Sequence, residues 1–328
     1  MRAIKVIDLK KIKESLSFKY DKTEINEQTK ACKNGFIKEY ENMKICSKNN
    51  NNSVKCYEYF NNDDNFTIIM ELCDKNLSQL LNEKISKSPP FNLEEILEIM
   101  KQLNNTFKIM EGNNIIHRDL KLENILIKYN DKEKKLFTIK LTDYGCSKRL
   151  QSLSNNYVNT QNMGTVKYMA PEILKGENYD YKVDLWSIGI IILRLNFGNF
   201  PFPVEKEEAL IDFINRYGNK LIKNTGNEEL DDLIKRLLEK EPSKRLNWEE
   251  YFNHSFFNKY KNKINLIYEK NNSNFKYANN IFGEKFIDNN KNNIELIING
   301  KKTYLKNNFH WKHSNFVMVL NLIMMNIH

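Results

Sequence analysis

The stretch "IIHRDLKLENILI" at residues 115–127 decides the reading of this chain. Its two ends, Ile115–Ile116 and Ile125–Ile127, are apolar, and between them His117, Arg118, Asp119, Lys121 and Asn124 stand on a polar loop. Apolar ends bury, so such a loop is anchored on both sides and presents its polar groups in fixed places. Nineteen residues beyond Asn124, "KLTDYGCS" (140–147) sets Asp143 before an aromatic residue and a glycine. Asp119, Asn124 and Asp143 are two carboxylates and an amide. These hard oxygen acceptors suit magnesium rather than a softer metal. Lys121 adds a cation suited to a transferring phosphoryl group. An aspartate near a glycine means by itself only a turn. The ordered set asks for a chemical explanation.

The rest of the chain is organised around this centre. Upstream, "SVKCYEYF" (53–60) and "FTIIMELC" (66–73) are apolar runs separated by "NNDDN", which predicts a hairpin. Ala3 to Leu9 reads as a further strand from the middle of a sheet. The segment "FIKEYENMKI" (36–45) predicts a helix with Phe36, Tyr40 and Met43 on one face and Gly35 just before it. The tract "KNNNN" (48–52) reads as a solvated loop. Residues 1–73 are thus expected to be strand-rich with one helical insert. After Asp74 the texture becomes helical. Leu93–Met110, Leu230–Leu238 and Trp248–Phe257 have amphipathic spacing, and Asp184–Leu195 is apolar enough to be buried all round. Beyond about residue 260, asparagine-rich tracts punctuate short apolar stretches. There "IELIINGKKTYL" (294–305) predicts a hairpin turning at Asn299–Gly300.

Bulk properties narrow the function. The chain has 328 residues and a formal net charge of +9, long enough for two lobes or one domain with an appendage. Acids and bases are interspersed, and no basic block is interleaved with aromatics, so nucleic-acid binding is not expected. Five scattered cysteines without a CxxC pair fit reduced thiols and an intracellular, cytoplasmic protein. Charges interrupt Ala3–Lys13, so no signal peptide is expected there, and Phe316–Ile327 is too short for a membrane span. His310 and His313 lack the acidic or thiol partners of a metal site.

These motifs resemble the eukaryotic protein-kinase family of serine/threonine type. "HRDLKLEN" is similar to its catalytic loop, "DYG" to its magnesium motif, "GTVKYMAPE" (164–172) to the end of its activation segment and "DLWSIG" (184–189) to the start of its buried central helix. "EPSKRLNWEEYFNHSFF" (241–257) is similar to the closing helices, with Arg245 placed to pair with Glu172. The resemblance implies an α+β, bilobal fold: a truncated N-lobe over 1–73 with an abridged antiparallel sheet, a hinge at 71–76, a helical C-lobe over 74–260 and a C-terminal appendage over 261–328. It implies ATP and Mg2+ as cofactors and a protein serine or threonine as substrate. Asp119 would orient the substrate hydroxyl and take its proton. Lys121 would sit by the γ-phosphate, and Asn124 and Asp143 would hold magnesium.

"RAIK" (2–5) resembles the family's third strand, so Lys5 would contact the α- and β-phosphates, paired with Glu39 or, as the alternative, Glu41. Glu71 and Cys73 would offer backbone groups to adenine, with Met70 at the back of the pocket. Arg118 would receive a phosphate from the activation segment, for which Thr160 is favoured over Ser152 and Ser154. Thr165 would hydrogen-bond Asp119 and Lys121. Glu123 matches a position that reads an arginine in some members. Arg194 stands where those members often carry a glutamate, so basic substrates are not expected to be favoured. The family's G-x-G-x-x-G hairpin is absent from the chain, which reads as truncated there. The strand bearing Lys5 is then an exposed edge that a partner could cover, and the appendage is a second place for a partner. The rival reading is a non-catalytic scaffold.

Overall fold

A computed structural model describes residues 1–258 apart from 19, 63, 131–136, 147, 150–165, 203–206 and 218–223, together with 293–298 and 301–306. The hairpin around residues 61–65 forms as expected, with β2 (Cys56–Asn61) antiparallel to β3 (Asn65–Glu71). On the other side of β3 lies β1 (Arg2–Asp8), with Lys5 opposite Ile68. The sheet order is β1-β3-β2, so β1 is an edge strand among the described residues. Ile4 and Val6 on it are 63% and 60% exposed.

Residues 1–73 carry more helix than strand, which corrects the expectation of a single insert. A helix not anticipated, α1 (Leu9–Ser17), follows β1 directly, with the Asp8 side chain accepting from the Lys11 N–H as its cap. The expected helix at 36–45 is the C-terminal part of α2 (Lys22–Ser47). It begins at a capping box in which Asp21 and Glu24 satisfy each other's backbone N–H groups. Apart from Thr29, the buried residues of α2 lie from Glu39 onward, so its first half carries little apolar period to read. Gly35 lies inside the helix rather than before it. Phe36 and Tyr40 pack on the sheet at ring-centroid distances of 5.7 Å to Phe66 and 4.7 Å to Tyr59, and Met43 is fully buried.

The 48–52 tract is a loop as expected, with Lys48, Asn49 and Asn51 exposed, but it is not solvated throughout. Asn50 and Asn52 are buried. Asn50 Nδ2 donates to the Cys46 carbonyl and to Thr106 Oγ1. Asn52 Nδ2 donates to the Ile139 carbonyl, and its own carbonyl accepts from Thr106 Oγ1. Buried amides persist only when so satisfied. Here they fasten the end of α2 to α4 (Leu93–Gly112) and to the strand leading toward Asp143.

Beyond β3 the chain is mostly helical. Short β4 (Lys75–Asn76) leads into α3 (Leu77–Ile85) and then α4. The loop after β5 (Ile115–Ile116) precedes β6 (Ile125–Tyr129) and β7 (Phe137–Leu141), and β8 (Lys148–Arg149) returns to pair with β5. After α5 (Pro171–Leu174) comes α6 (Lys182–Phe197), buried nearly all round as its composition requires. Gly189 lets Leu238 approach: a Cβ there would lie 2.7 Å from Leu238 Cδ2. Helices α7 (Glu207–Tyr217), α8 (Glu228–Leu237) and α9 (Trp248–Phe252) complete this part, and the expected 248–257 helix breaks at Asn253. The small antiparallel sheet and the mostly helical remainder make up the bilobal α+β architecture. Residues Met1–Lys259 form one compact unit and Tyr260–His328 a second. In the second, β9 (Asn293–Ile298) pairs antiparallel with β10 (Lys301–Lys306). The turn residues Asn299–Gly300, along with His310, His313 and Phe316–Ile327, lie outside the described residues. No described helix is long and apolar enough to cross a membrane.

One pH dependence follows from the fold. His254 is buried, with Nε2 3.0 Å from Asp232 Oδ2. Burial pushes its pKa below the ordinary histidine value, and Asp232 only partly opposes this. The unfolded chain therefore takes up this proton at a higher pH than the folded one. The stability that His254 contributes is complete above the unfolded pKa and is lost as pH falls through the folded one. Melting temperature is expected to fall between pH 7.5 and 5.5, and His254→Gln should flatten that slope. An unchanged slope in the variant would assign it to other groups.

Candidate active site

Lys5 is the junction of the cleft. Its Nζ lies 2.6 Å from Glu39 Oε1 and 3.2 Å from Asp143 Oδ1. Strand β1 supplies the lysine, α2 the glutamate and the segment after β7 the aspartate. Glu41, the alternative partner, is exposed. Burial opposes the Lys5 charge, but Glu39 and Asp143 outweigh it and lift its pKa above the ordinary lysine value. Burial also raises the Asp143 carboxyl, and there the charge of Lys5 wins and holds it below the usual range. Glu39 is raised by burial, against which Lys5 works. Asp143 has φ +63°, a left-handed backbone that non-glycine residues rarely adopt. Gly145 is small for a reason: a Cβ would stand 3.0 Å from Glu39 Oε2 and 3.3 Å from Asp143 Oδ1. Tyr144 is buried and its hydroxyl lies 3.0 Å from Ser53 Oγ, which satisfies the group that a phenylalanine would lack.

The 117–124 loop is held from beneath. Asp184, fully buried at the start of α6, accepts the backbone N–H groups of His117 (2.7 Å) and Arg118 (2.8 Å) through its two oxygens. This clamp fixes Arg118 at φ +66°, strain that only surrounding structure can maintain. The Arg118 side chain donates to the Tyr179 hydroxyl at 2.9 Å. Asp119 Oδ2 lies 2.8 Å from Lys121 Nζ and accepts from Asn124 Nδ2 at 2.9 Å. Asp119 Oδ1 is buried without a hydrogen-bond partner. Such an orphan marks a place where a further group belongs.

A cavity of about 260 Å³ opens between the two parts, lined among others by Ala3, Lys5, Glu39, Met70, Asn124 and Asp143. Among the described residues no three His, Cys, Asp or Glu gather as a metal cage. Asp143 and the amide oxygen of Asn124 are a two-donor set. That suits magnesium, which takes its remaining oxygens from phosphate and water. Met70 lines the cavity, and the Glu71 side chain is engaged elsewhere. Its carboxylate is buried against Lys128 (2.6 Å) and Lys140 (3.0 Å), and its N–H donates to the Lys55 carbonyl. What Glu71 can offer a ligand is therefore its carbonyl. Burial pushes the Cys73 thiol up to about 11. At pH 7.5 its alkylation by iodoacetamide, followed by intact mass, is expected to be about a hundredfold slower than that of an ordinary thiol. Rapid labelling would contradict this.

Thr160 and Thr165, with Ser152 and Ser154, lie outside the described residues. Sequence reasoning gave no role to Asp184, Asn52, Lys140 or Tyr179. Asp184 did leave a signal, since one acid within an apolar helical run must find buried donors.

The family model described as protein kinase domain matches residues 3–257. The chain is 35% identical over 214 residues to serine/threonine-protein kinase atg1 of Dictyostelium discoideum, covering 63% of this chain and 30% of that protein. It is 33% identical over 213 residues to serine/threonine-protein kinase cds1 of Schizosaccharomyces pombe, covering 62% and 44%. It is 34% identical over 219 residues to calcium-dependent protein kinase 3 of Plasmodium berghei, covering 66% and 38%. The chain thus spans less than half the length of each of these relatives. With a family model matched across both lobes and the motif residues converging on one cleft, the chain belongs to the protein kinase family.

Proposed function

We propose that this chain is a serine/threonine protein kinase that transfers the γ-phosphate of Mg-ATP to protein hydroxyls in an intracellular compartment. The observation that carries the reading is the convergence on Lys5 of Glu39 and Asp143, from two other elements, at the mouth of a cavity. When bound, Mg-ATP supplies a phosphoryl group whose charge the metal partly neutralises. Lys5, kept charged by its two carboxylates, is available to phosphate oxygens on the nucleotide side. Asp143 and Asn124 hold the metal. Asp119 accepts the hydroxyl proton at Oδ1, the oxygen with no partner, while Lys121 and Asn124 fix the other oxygen. Met70 bounds the base, with the Glu71 carbonyl and the Cys73 backbone beside it. Arg118 remains the proposed receiver of a phosphate on Thr160, and Thr165 the proposed partner of Asp119 and Lys121. Transfer then depends on positioning and electrostatics rather than covalent chemistry.

Lys121 two residues after Asp119 supports serine/threonine rather than tyrosine acceptors, as do the names of the relatives. The rival reading is a scaffold without transfer. Transfer of label from Mg-ATP to a generic protein substrate decides between them. Asp143→Asn is expected to weaken magnesium-dependent binding of a fluorescent ATP analogue about tenfold or more, the worth of one charge-assisted contact. Equal binding by wild type and variant would remove Asp143 from the metal site.

A further inference from the structure

Building on the kinase reading, we infer that the acceptor side of the cleft selects peptides that carry an oxyanion, a carboxylate or a phosphate, close to the hydroxyl that is modified. The basis is a cationic wall beside the catalytic loop and apart from the nucleotide cavity. Arg194 on α6 and Lys167 both stack on Phe200, with the guanidinium carbon 4.3 Å and Nζ 5.3 Å from the ring centroid. A ring attracts each cation but does nothing to cancel their mutual repulsion. Among the described residues the acid paired with this group is Glu123, 3.9 Å from Arg194 and nearly half exposed, a weak counter-charge. Both polar contacts of Arg194 use Nη1, and its Nε is buried with no hydrogen-bond partner. Among the described residues the wall therefore holds two cations for one loosely held carboxylate.

Its position fixes what it meets. Arg194 donates to the Tyr168 hydroxyl at 2.9 Å, and that hydroxyl accepts from the Leu122 N–H at 3.4 Å. Leu122 is three residues from Asp119 on the same loop. An acceptor chain that places its hydroxyl at Asp119 passes this wall, while the nucleotide phosphates lie with Lys5 and Asp143. An oxyanion on the chain satisfies the guanidinium and relieves the repulsion. An arginine there adds a third cation.

The test uses the full chain and a set of serine peptides scanned with Asp, phosphoserine, Ala or Arg at each position flanking the acceptor. In one arm the acceptor is alanine and binding is read by fluorescence anisotropy at low salt. At one or more positions the Asp or phosphoserine peptide is expected to bind about tenfold tighter than the Arg peptide. Arg194→Glu should reverse the ratio, and Lys167→Ala should reduce it. Preference for phosphoserine alone identifies a phosphorylated substrate, and equal preference for Asp an acidic one. No preference, or a preference for Arg, overturns the inference whether or not catalysis is seen. The second arm measures transfer to the serine peptides. Failure of transfer to every peptide counts against the kinase reading and leaves the binding result standing.

Discussion

Asp119→Asn is expected to lower phosphotransfer by about 10²–10⁴-fold while leaving nucleotide binding and melting temperature nearly unchanged. Asp119 Oδ1 is a buried carboxylate oxygen without a hydrogen-bond partner, while Oδ2 is held by Lys121 and Asn124. Asparagine keeps the shape and the acceptor that meets Lys121 and Asn124, and loses the base. A variant that binds nucleotide and transfers at the wild-type rate would deny Asp119 its role. One that melts much lower would make its role structural. The same comparison separates an enzyme from a scaffold, since a scaffold shows no transfer to lose.

Arg245→Met is expected to destabilise the fold by about 3–5 kcal/mol, the cost of leaving a buried charge without its partner. Arg245 is fully buried and meets Glu172 in two parallel contacts, Nη1 to Oε1 at 2.6 Å and Nη2 to Oε2 at 3.0 Å. It also donates to the carbonyls of Lys182 and Glu239, tying α5, the start of α6 and the segment before α9 together. At about 2–4 °C per kcal/mol for a unit of this size, melting should fall by roughly 10 °C. Replacing both partners, Glu172→Gln with Arg245→Met, should recover part of that loss, because no uncompensated charge is then buried. A double variant as unstable as the single would show that the carbonyl contacts, not the ion pair, carry the stability.

Much of the cleft was legible because its chemistry is local. Asp119, Lys121 and Asn124 are neighbours along the chain, so their spacing alone sets which groups share a loop. The 61–65 turn was legible for the same reason, since asparagine and aspartate satisfy their own backbone there. The Glu172–Arg245 pairing came from resemblance, and the geometry agrees with it. The length of α2 was illegible because its first half carries little apolar period and is started by a cap. The burial of Asn50 and Asn52 was illegible because their partners, Thr106 and Ile139, lie more than 50 residues away.

By itself, then, the sequence determined the family, the change from a sheet-bearing part to a helical one, and which candidate polar groups share the 117–124 loop. Each of these is written in contiguous residues whose propensities act over a few positions. Only the tertiary structure decided that Lys5 meets Glu39 and Asp143, that Asp184 clamps the loop beneath Asp119, and that two cations crowd Phe200 beside it. Charge, burial and pKa at those places depend on which distant side chains exclude water together. Spacing along the chain does not carry that information.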